Sequence, residues 1–473
     1  MFDKKIPILQ DYTFKPDHHI PLLNGITKKQ IEDIFADSHY EDEVDYMTMG
    51  LGAQENRLCR SWRNCKLTEG EPFVYPLVVS PRNAMWQEWW EKIIEIPKPI
   101  KELVAENRGK ILLHNTWEAW APGNFIRIID IIIRRYPKYN FTPDNFIVAC
   151  GNNRIQDYQE HIPNFVQTQL YSLHPFRERF EDFHIPEMSR PIMTSDILND
   201  EMYNSVVENI KNKRVRKYHF INLNRLCRLH RLAVFTELFE DRHMGILSNM
   251  MFLYNIDFPD SIRNSERNSN YSQYIKEILK KEQSEYTEHF VHFKENYPAI
   301  HKKFVDAKLI EQCPFLIPDD FSPFFNPNPD PSMEKFLQSS LNIVNETYAI
   351  EHDRRFITEK TWKPILYMQP FVIIGTPGIL EYLRSLGFAT FSNWIDESYD
   401  TIDNPQVRLL FAIRSARKFY RRGPHAIAKD LSEMLEVLIH NRETYIKNYN
   451  TYYTDVCTRI AVELNYCNRY YDK

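Results

Sequence analysis

Glycine is scarce in this chain: 12 residues of 473, against 28 Pro. No GxxxxGK[ST], GxGxxG or GxSxG run occurs, which argues against P-loop, dinucleotide-binding and serine-hydrolase chemistry. Long apolar runs are missing too. No uncharged stretch reaches the roughly 18 residues of a membrane span, so no membrane insertion is expected. The opening MFDKKIPILQDY carries two lysines with no sustained apolar run behind them, so no signal peptide is expected. The seven cysteines are odd in number, scattered, and never spaced CxxC. That fits reduced thiols better than a disulfide frame or a zinc site, and points to the cytoplasm, or a host's cytoplasm for a viral protein. Positive charge is not in excess: Lys+Arg 59 against Asp+Glu 64 gives a net charge of -5. A broadly basic nucleic-acid coat is excluded, while a local basic groove is not. Finally, no D-x-D ends a hydrophobic strand, the pattern that holds a divalent cation in one transferase fold.

What is present is an ordinary globular composition, with 43% hydrophobic and 26% charged residues. At 473 residues the chain exceeds what a single core usually organises, roughly 250–300 residues, so two domains are expected. The first hundred residues are Trp-rich and resist assignment. Lys110–His114 then reads as a buried strand, Asn115–Gly123 as a loop, and Phe125–Arg134 as a helix with Asn124 as N-cap. Asn145–Cys150 reads as a second strand, which makes a βαβ unit and implies a parallel sheet. A polar helix over Asp200–Lys213 precedes another start: strand Tyr218–Leu223, loop Asn224–His230, helix Arg231–Phe239. Tyr271–Gln312 reads as a helical covering layer and Asp319–Pro331 as a loop. Strands at Leu341–Val344, Phe371–Ile374 and Ala389–Phe391 flank helices over Phe356–Met368 and Ile379–Leu386. The expectation is α/β, with two Rossmann-like domains facing a cleft: an N-terminal domain at 1–205, a C-terminal domain at 206–405, and C-terminal helices at 406–473.

Two segments carry chemistry. In Phe356-Ile-Thr-Glu-Lys-Thr-Trp-Lys-Pro-Ile365, Thr358 suits a helix N-cap, with Glu359 and Lys360 in the first turn. A helix N-terminus favours anions, and a lysine there adds a charge for a pyrophosphate. The plainer reading is a capped surface helix. In Asn222-Leu-Asn224-Arg225-Leu-Cys-Arg228-Leu-His230-Arg231, three arginines follow a strand's C-terminal end, where open α/β sheets bind ligands. Guanidinium forks suit phosphate oxygens, although a solvated helix face shows the same spacing.

Together these blocks resemble the alpha-1,3-fucosyltransferase family: an aromatic, the TEK triplet, a helix, then an apolar strand ending in Gly. They are similar as well to predicted glycosyltransferases of tailed phages and large viruses, with the later Trp394–Asp400 segment included. The resemblance covers Tyr218–Asp400 in patches. It implies a GT-B glycosyltransferase whose nucleotide-sugar donor is a substrate, with no cofactor and no metal. Asn224, Arg228, Arg231 and Lys360 would hold the donor, the cations on its pyrophosphate, and Glu359 would take the ribose. Departures exist. Arg355-Phe356 stands where the fucosyltransferases have Asp-Tyr, and Asn345-Glu346 reverses their Glu-Asn order, so the donor's base and sugar stay open.

Glycosyl transfer needs a base for the acceptor proton. Glu118, in the loop after Lys110–His114, is the first candidate and His114 the second. The acceptor is a glycan, a lipid-linked group or a protein. One alternative is a modified base in viral DNA, reached through the basic clusters Lys211–Lys217 and Arg414–Arg422. Another is a non-catalytic sugar- or nucleotide-binding scaffold. His289-x-x-His292 beside Glu288 lacks a third metal ligand and reads as a surface helix.

Overall fold

The computed structural model describes residues 6–8, 59–61, 73–78, 96, 98–115, 120–167, 200–224, 228–248, 287–309 and 332–464. The chain divides into two compact units. One comprises 1–182, 353–356 and 447–473, the other 183–352 and 357–446. Both are α/β with wholly parallel sheets.

In the first unit the strands are β1 (Ile6–Ile8), β2 (Cys59–Ser61), β3 (Phe73–Val78), β4 (Gly109–Asn115), β5 (Phe146–Cys150) and β6 (Phe165–Gln167). They lie in the order β2-β1-β3-β4-β5-β6. The five residues of β5 are all buried, as a central parallel strand covered on both faces requires. Helices α1 (Lys98–Ala105) and α2 (Pro122–Arg135) belong to this unit. The buried side chains of α2 are Pro122, Phe125, Ile128, Ile129 and Ile132, an apolar stripe at helical spacing. They join Ile111, Leu113 and Val148 of the sheet in one core. The helix begins two residues before the expected Asn124 cap. Pro122 stands at its first position after an extended Ala121, where proline's fixed φ and missing N–H cost nothing.

The second unit has strands β7 (Phe220–Asn222), β8 (Gly245–Leu247), β9 (Asn342–Asn345) and β10 (Phe371–Ile374), in the order β10-β9-β7-β8. Its helices are α3 (Asp200–Lys211), α4 (Leu229–Leu238), α5 (Thr287–Asn296), α6 (Pro298–Asp306), α7 (Ser332–Leu337), α8 (Glu359–Leu366), α9 (Ile379–Ser385), α10 (Pro405–Tyr420) and α11 (Pro424–Glu433). Helix α12 (Leu435–Glu463) belongs to the second unit up to Ile446 and to the first from Lys447. The link from β7 to β8 runs through α4 in one direction along the sheet, and that from β9 to β10 through α8 in the other. The connections therefore diverge between β7 and β9, the position at which open α/β sheets form a ligand crevice beyond the strands' C-terminal ends.

These units differ from the expected 1–205, 206–405 and 406–473. Helix α3 and residues 406–446 group with the second unit, the latter through buried apolar side chains of α10 and α11 and through ion pairs at the end of α10. Helix α4 is buried along nearly its whole length, so Glu237 on it and Asp241 just beyond it need partners. Asp241 accepts from Arg417 Nε at 3.0 Å and Tyr420 Oη at 2.6 Å, and from Arg421. Arg417 also pairs with Glu237 at 3.4 Å, and the Tyr420 ring lies 4.8 Å from that of Phe220 in β7. Helix α10 is thereby fixed to α4 and the sheet.

Three further expectations change. The helix at Phe356–Met368 is confined to Glu359–Leu366. Ala389–Phe391 is not a strand: its amides go to side chains, Ala389 N to Asn441 Oδ1 at 2.7 Å and Phe391 N to Glu397 Oε1 at 2.6 Å. The expected loop Asn224–His230 ends early, because α4 starts at Leu229. The Asp319–Pro331 loop lies outside the described residues, as do 271–286 and 310–312 of the expected helical stretch, whose remainder forms α5 and α6.

The α4–α10 junction yields a prediction. Burial pushes the Asp241 carboxyl up, but the Tyr420 hydroxyl and the Arg421 and Arg417 guanidinium groups outweigh it and hold it below the usual carboxylate range. Asp241→Ala should destabilise the protein by about 3 kcal/mol at neutral pH, the cost of breaking a buried ion pair from one side. The difference should shrink as pH falls from about 4, where the unfolded chain's carboxylate takes up a proton, through the lower folded value. Urea denaturation at several pH values measures both.

Candidate functional site

The C-terminal ends of β7 and β9 are joined by a chain of amides. Asn222 Nδ2 donates to the Ile343 carbonyl at 2.6 Å. Asn224 Nδ2 donates to Asn222 Oδ1 at 2.7 Å and to the Ser248 carbonyl at 3.1 Å. Asn345 Nδ2 then donates to Asn224 Oδ1 at 2.7 Å. All three asparagines are buried. Because the amide of Asn224 is used on both sides, this residue fixes the strand ends.

Next in sequence, Glu346 is fully buried, at 0% exposure. A carboxylate in that position needs several donors. It has four: Thr347 N at 3.2 Å, Thr358 N at 3.0 Å, Thr358 Oγ1 at 2.7 Å and Thr361 Oγ1 at 2.6 Å. Two of those threonines flank the first turn of α8, and Thr358 is its N-cap, as the sequence suggested. The negative end that the helix dipole favours is therefore supplied from within the protein. The sequence reading gave this helix end to a pyrophosphate, yet Glu346 and Thr358 already fill it.

Helix α4 is different. Its N-cap, Arg228, is extended and makes no side-chain cap. His230 and Arg231 stand in its first turn, each 4% exposed. The Glu346 carbonyl accepts from His230 Nε2 at 2.8 Å and from Arg231 Nη2 at 3.5 Å. A carbonyl can only accept, so the imidazole carries its proton on Nε2. Burial, then the charge of Arg231, then those of Arg228 and Lys360, drive the His230 pKa well below its ordinary value. Each of the three cations borders the segment that opens with Glu346: Arg231 meets its carbonyl, and the other two meet neighbours of that residue. Arg228 lies over the Tyr348 ring at 5.5 Å, and Lys360 Nζ donates to Thr358 Oγ1 at 3.2 Å. The uncapped end of α4, two arginines and a lysine thus converge where the sheet's connections diverge, an arrangement suited to a multiply charged anion.

A fourth cation works structurally. Buried Arg408 donates to the carbonyls of Gly375 at 3.0 Å and Asp403 at 2.8 Å, and to those of Ile402 and Ala349. It ties the segment after β9 to the segment after β10.

Of the residues expected to hold the donor, Arg228, Arg231 and Lys360 come together, whereas the side-chain amide of Asn224 is engaged by Asn222, Ser248 and Asn345. Glu359 opens α8, and only its backbone is described. Glu118 lies outside the described residues, as does Arg225. His114 pairs in register with Val78 and Ala149 in β4, its side chain outside the description. Among the described residues no group of three or more His, Cys, Asp or Glu gathers as metal ligands. His292 of the HxxH segment is exposed and pairs with Glu295 at 3.1 Å. No described helix is long and apolar enough to cross a membrane. Sequence reasoning passed over His230 and Thr361, and saw Asn345 and Glu346 only as a reversed pair. No protein family, curated protein or solved structure matches this chain.

The buried imidazole makes stability depend on pH. His230 stays neutral when folded and takes up a proton when unfolded below about pH 6.5. Its contribution is intact above that value and is lost as pH falls from there toward the depressed folded pKa. In His230→Gln the amide still donates to Glu346, and stability should fall less steeply between about pH 6.5 and 5. Unchanged slopes in chemical denaturation would show that the ring protonates in place.

Proposed function

We propose that this chain is a glycosyltransferase of the two-domain GT-B kind, moving a sugar from a nucleotide-sugar donor to a glycan, lipid-linked or protein acceptor without a metal. The observation that carries the reading is the convergence of Arg228, Arg231 and Lys360 on the uncapped end of α4, at the point where the strand connections of the second unit diverge. When the glycosidic bond to the donor breaks, charge accumulates on the departing diphosphate. Fixed cations and helix N–H groups stabilise that charge without reorganising. Arg231, held by its contact with the Glu346 carbonyl, is a preorganised member of the set. Lys360 and Arg228 are each half-buried. The ribose assignment of Glu359 rests on the fucosyltransferase resemblance.

The acceptor's proton needs a base, and Glu118 remains our candidate, with His114 second. A DNA-base acceptor loses support. Arg417 and Arg421 are engaged by Asp241, and Arg422 by Asp430 at 2.5 Å, so the Arg414–Arg422 cluster is largely committed to the fold and offers a poor track for phosphates.

Two experiments follow. Mixing the protein with a panel of nucleotide sugars in EDTA should release nucleotide from at least one. Lys360→Ala should weaken binding of that nucleotide by about 1.5–3 kcal/mol, the worth of a charged hydrogen bond. Binding without turnover identifies a scaffold, and unchanged affinity in calorimetry discards the donor site. Separately, Glu118→Gln should lower turnover roughly 10²–10⁴-fold, as for loss of a general base, while nucleotide affinity holds. Normal turnover in that variant moves the base to another residue.

A further inference from the structure

Arg442, on α12, is 8% exposed. A guanidinium at that depth calls for an acid or several acceptors. Among the described residues no acid pairs with Arg442 and no acceptor takes a hydrogen bond from it; it lies over the Tyr203 ring of α3, at 4.1 Å. A ring face returns part of the stabilisation that water gave the cation, but it leaves the N–H groups unmet. Those groups are not sealed in. Arg442 lines a cleft that is open to solvent, and its nitrogens are not closed off from it. The cleft is the side from which a counter-charge can reach them.

The other walls of the cleft are mainly apolar. They include Val206 of α3, Leu337 at the end of α7, and Leu366 and Met368 at the end of α8. The α7 and α8 walls are fixed to each other: Gln369 Nε2 donates to the Ser339 carbonyl at 2.7 Å, and the rings of Phe336 and Tyr367 lie 4.8 Å apart. Even with the solvent at its mouth counted, the cleft holds about 220 Å³, less than the sites of drug-sized ligands. A single cation matches a single negative charge, and the guanidinium fork matches the two oxygens of a carboxylate. The walls favour an apolar body behind that carboxylate, whereas a phosphate would bring more charge than one arginine meets. We infer that Arg442 and these walls form a binding site for a small aliphatic monocarboxylate. The site lies at the opposite end of α8 from Lys360 and does not rest on the donor-site reading.

Ligand-observed NMR titration of the full chain with butanoate, pentanoate and hexanoate tests this, each acid beside its neutral amide and with inorganic phosphate as a competitor. At least one carboxylate should bind, and its amide, which lacks the charged hydrogen bond, should bind about 10- to 100-fold more weakly. Arg442→Met keeps an unbranched apolar chain and should weaken the acid by the same factor. It should not lower the melting temperature, because the cation it removes has no acid to neutralise it. An arginine with a purely structural role would give the reverse pattern. Val206→Trp fills the cleft with Arg442 in place and should abolish binding, so the result does not hang on one variant folding. No binding of any acid, equal binding of acid and amide, or wild-type affinity in either folded variant overturns the inference. Phosphate that displaces every carboxylate at equal concentration overturns it as well.

Discussion

The second unit is organised around one buried negative charge. Glu346 follows β9, and its carboxylate reaches forward to Thr358 and Thr361 at the start of α8, while its carbonyl reaches His230 and Arg231 in α4. A lone carboxylate at that depth would be strongly unfavourable. Four donors make it tenable, and in return they are held in place by it. The end of β9, the first turn of α8 and the first turn of α4 thus form one connected piece, and Gly375 lets β10 end beside it. There, a Cβ would stand 2.7 Å from Ile379 Cδ1 and 3.6 Å from Glu346 Cβ.

That arrangement explains why two helix ends of the same unit have different roles. Both α4 and α8 point their N-termini toward the strand ends. One is saturated by an internal anion, and the other is left with cations and no side-chain cap. A cluster of like charges is costly in the absence of a counter-ion. Arg228, over the Tyr348 ring, and buried Arg231 carry that cost, which a bound polyanion would relieve. The neutral imidazole of His230 serves as a spacer among them, donating without adding charge.

Much of the framework was readable from local pattern. The apolar runs of β5 and β10, the stripe of α2 and the Thr358 cap follow from spacing and cap chemistry that operate over a few residues. The positions of Lys360, Arg228 and Arg231 at helix starts were legible in the same way, from the cap and strand-end patterns beside them. The polar network was not. Asn345 meets Asn224 across 121 positions and His230 meets Glu346 across 116, and such pairings leave no periodic trace. Asn224 looked like a ligand-binding residue by resemblance, but only the three-dimensional path of its amide shows both faces occupied. Local propensity misled at Ala389–Phe391, where the side chains of Asn441 and Glu397 take the amides that a neighbouring strand would have used.

The first unit is written in three pieces of chain, the last of them Lys447–Lys473. Glu463 in that last piece is held high by burial, with Lys110 of β4 opposing the shift, so this residue lies near one made more than three hundred positions earlier. During synthesis, all residues of the second unit leave the ribosome before the first unit has its full set. The half of the protein begun first is completed last. Its sheet must wait, partly uncovered, through the translation of the whole second unit, the interval in which exposed strands are most prone to wrong pairing.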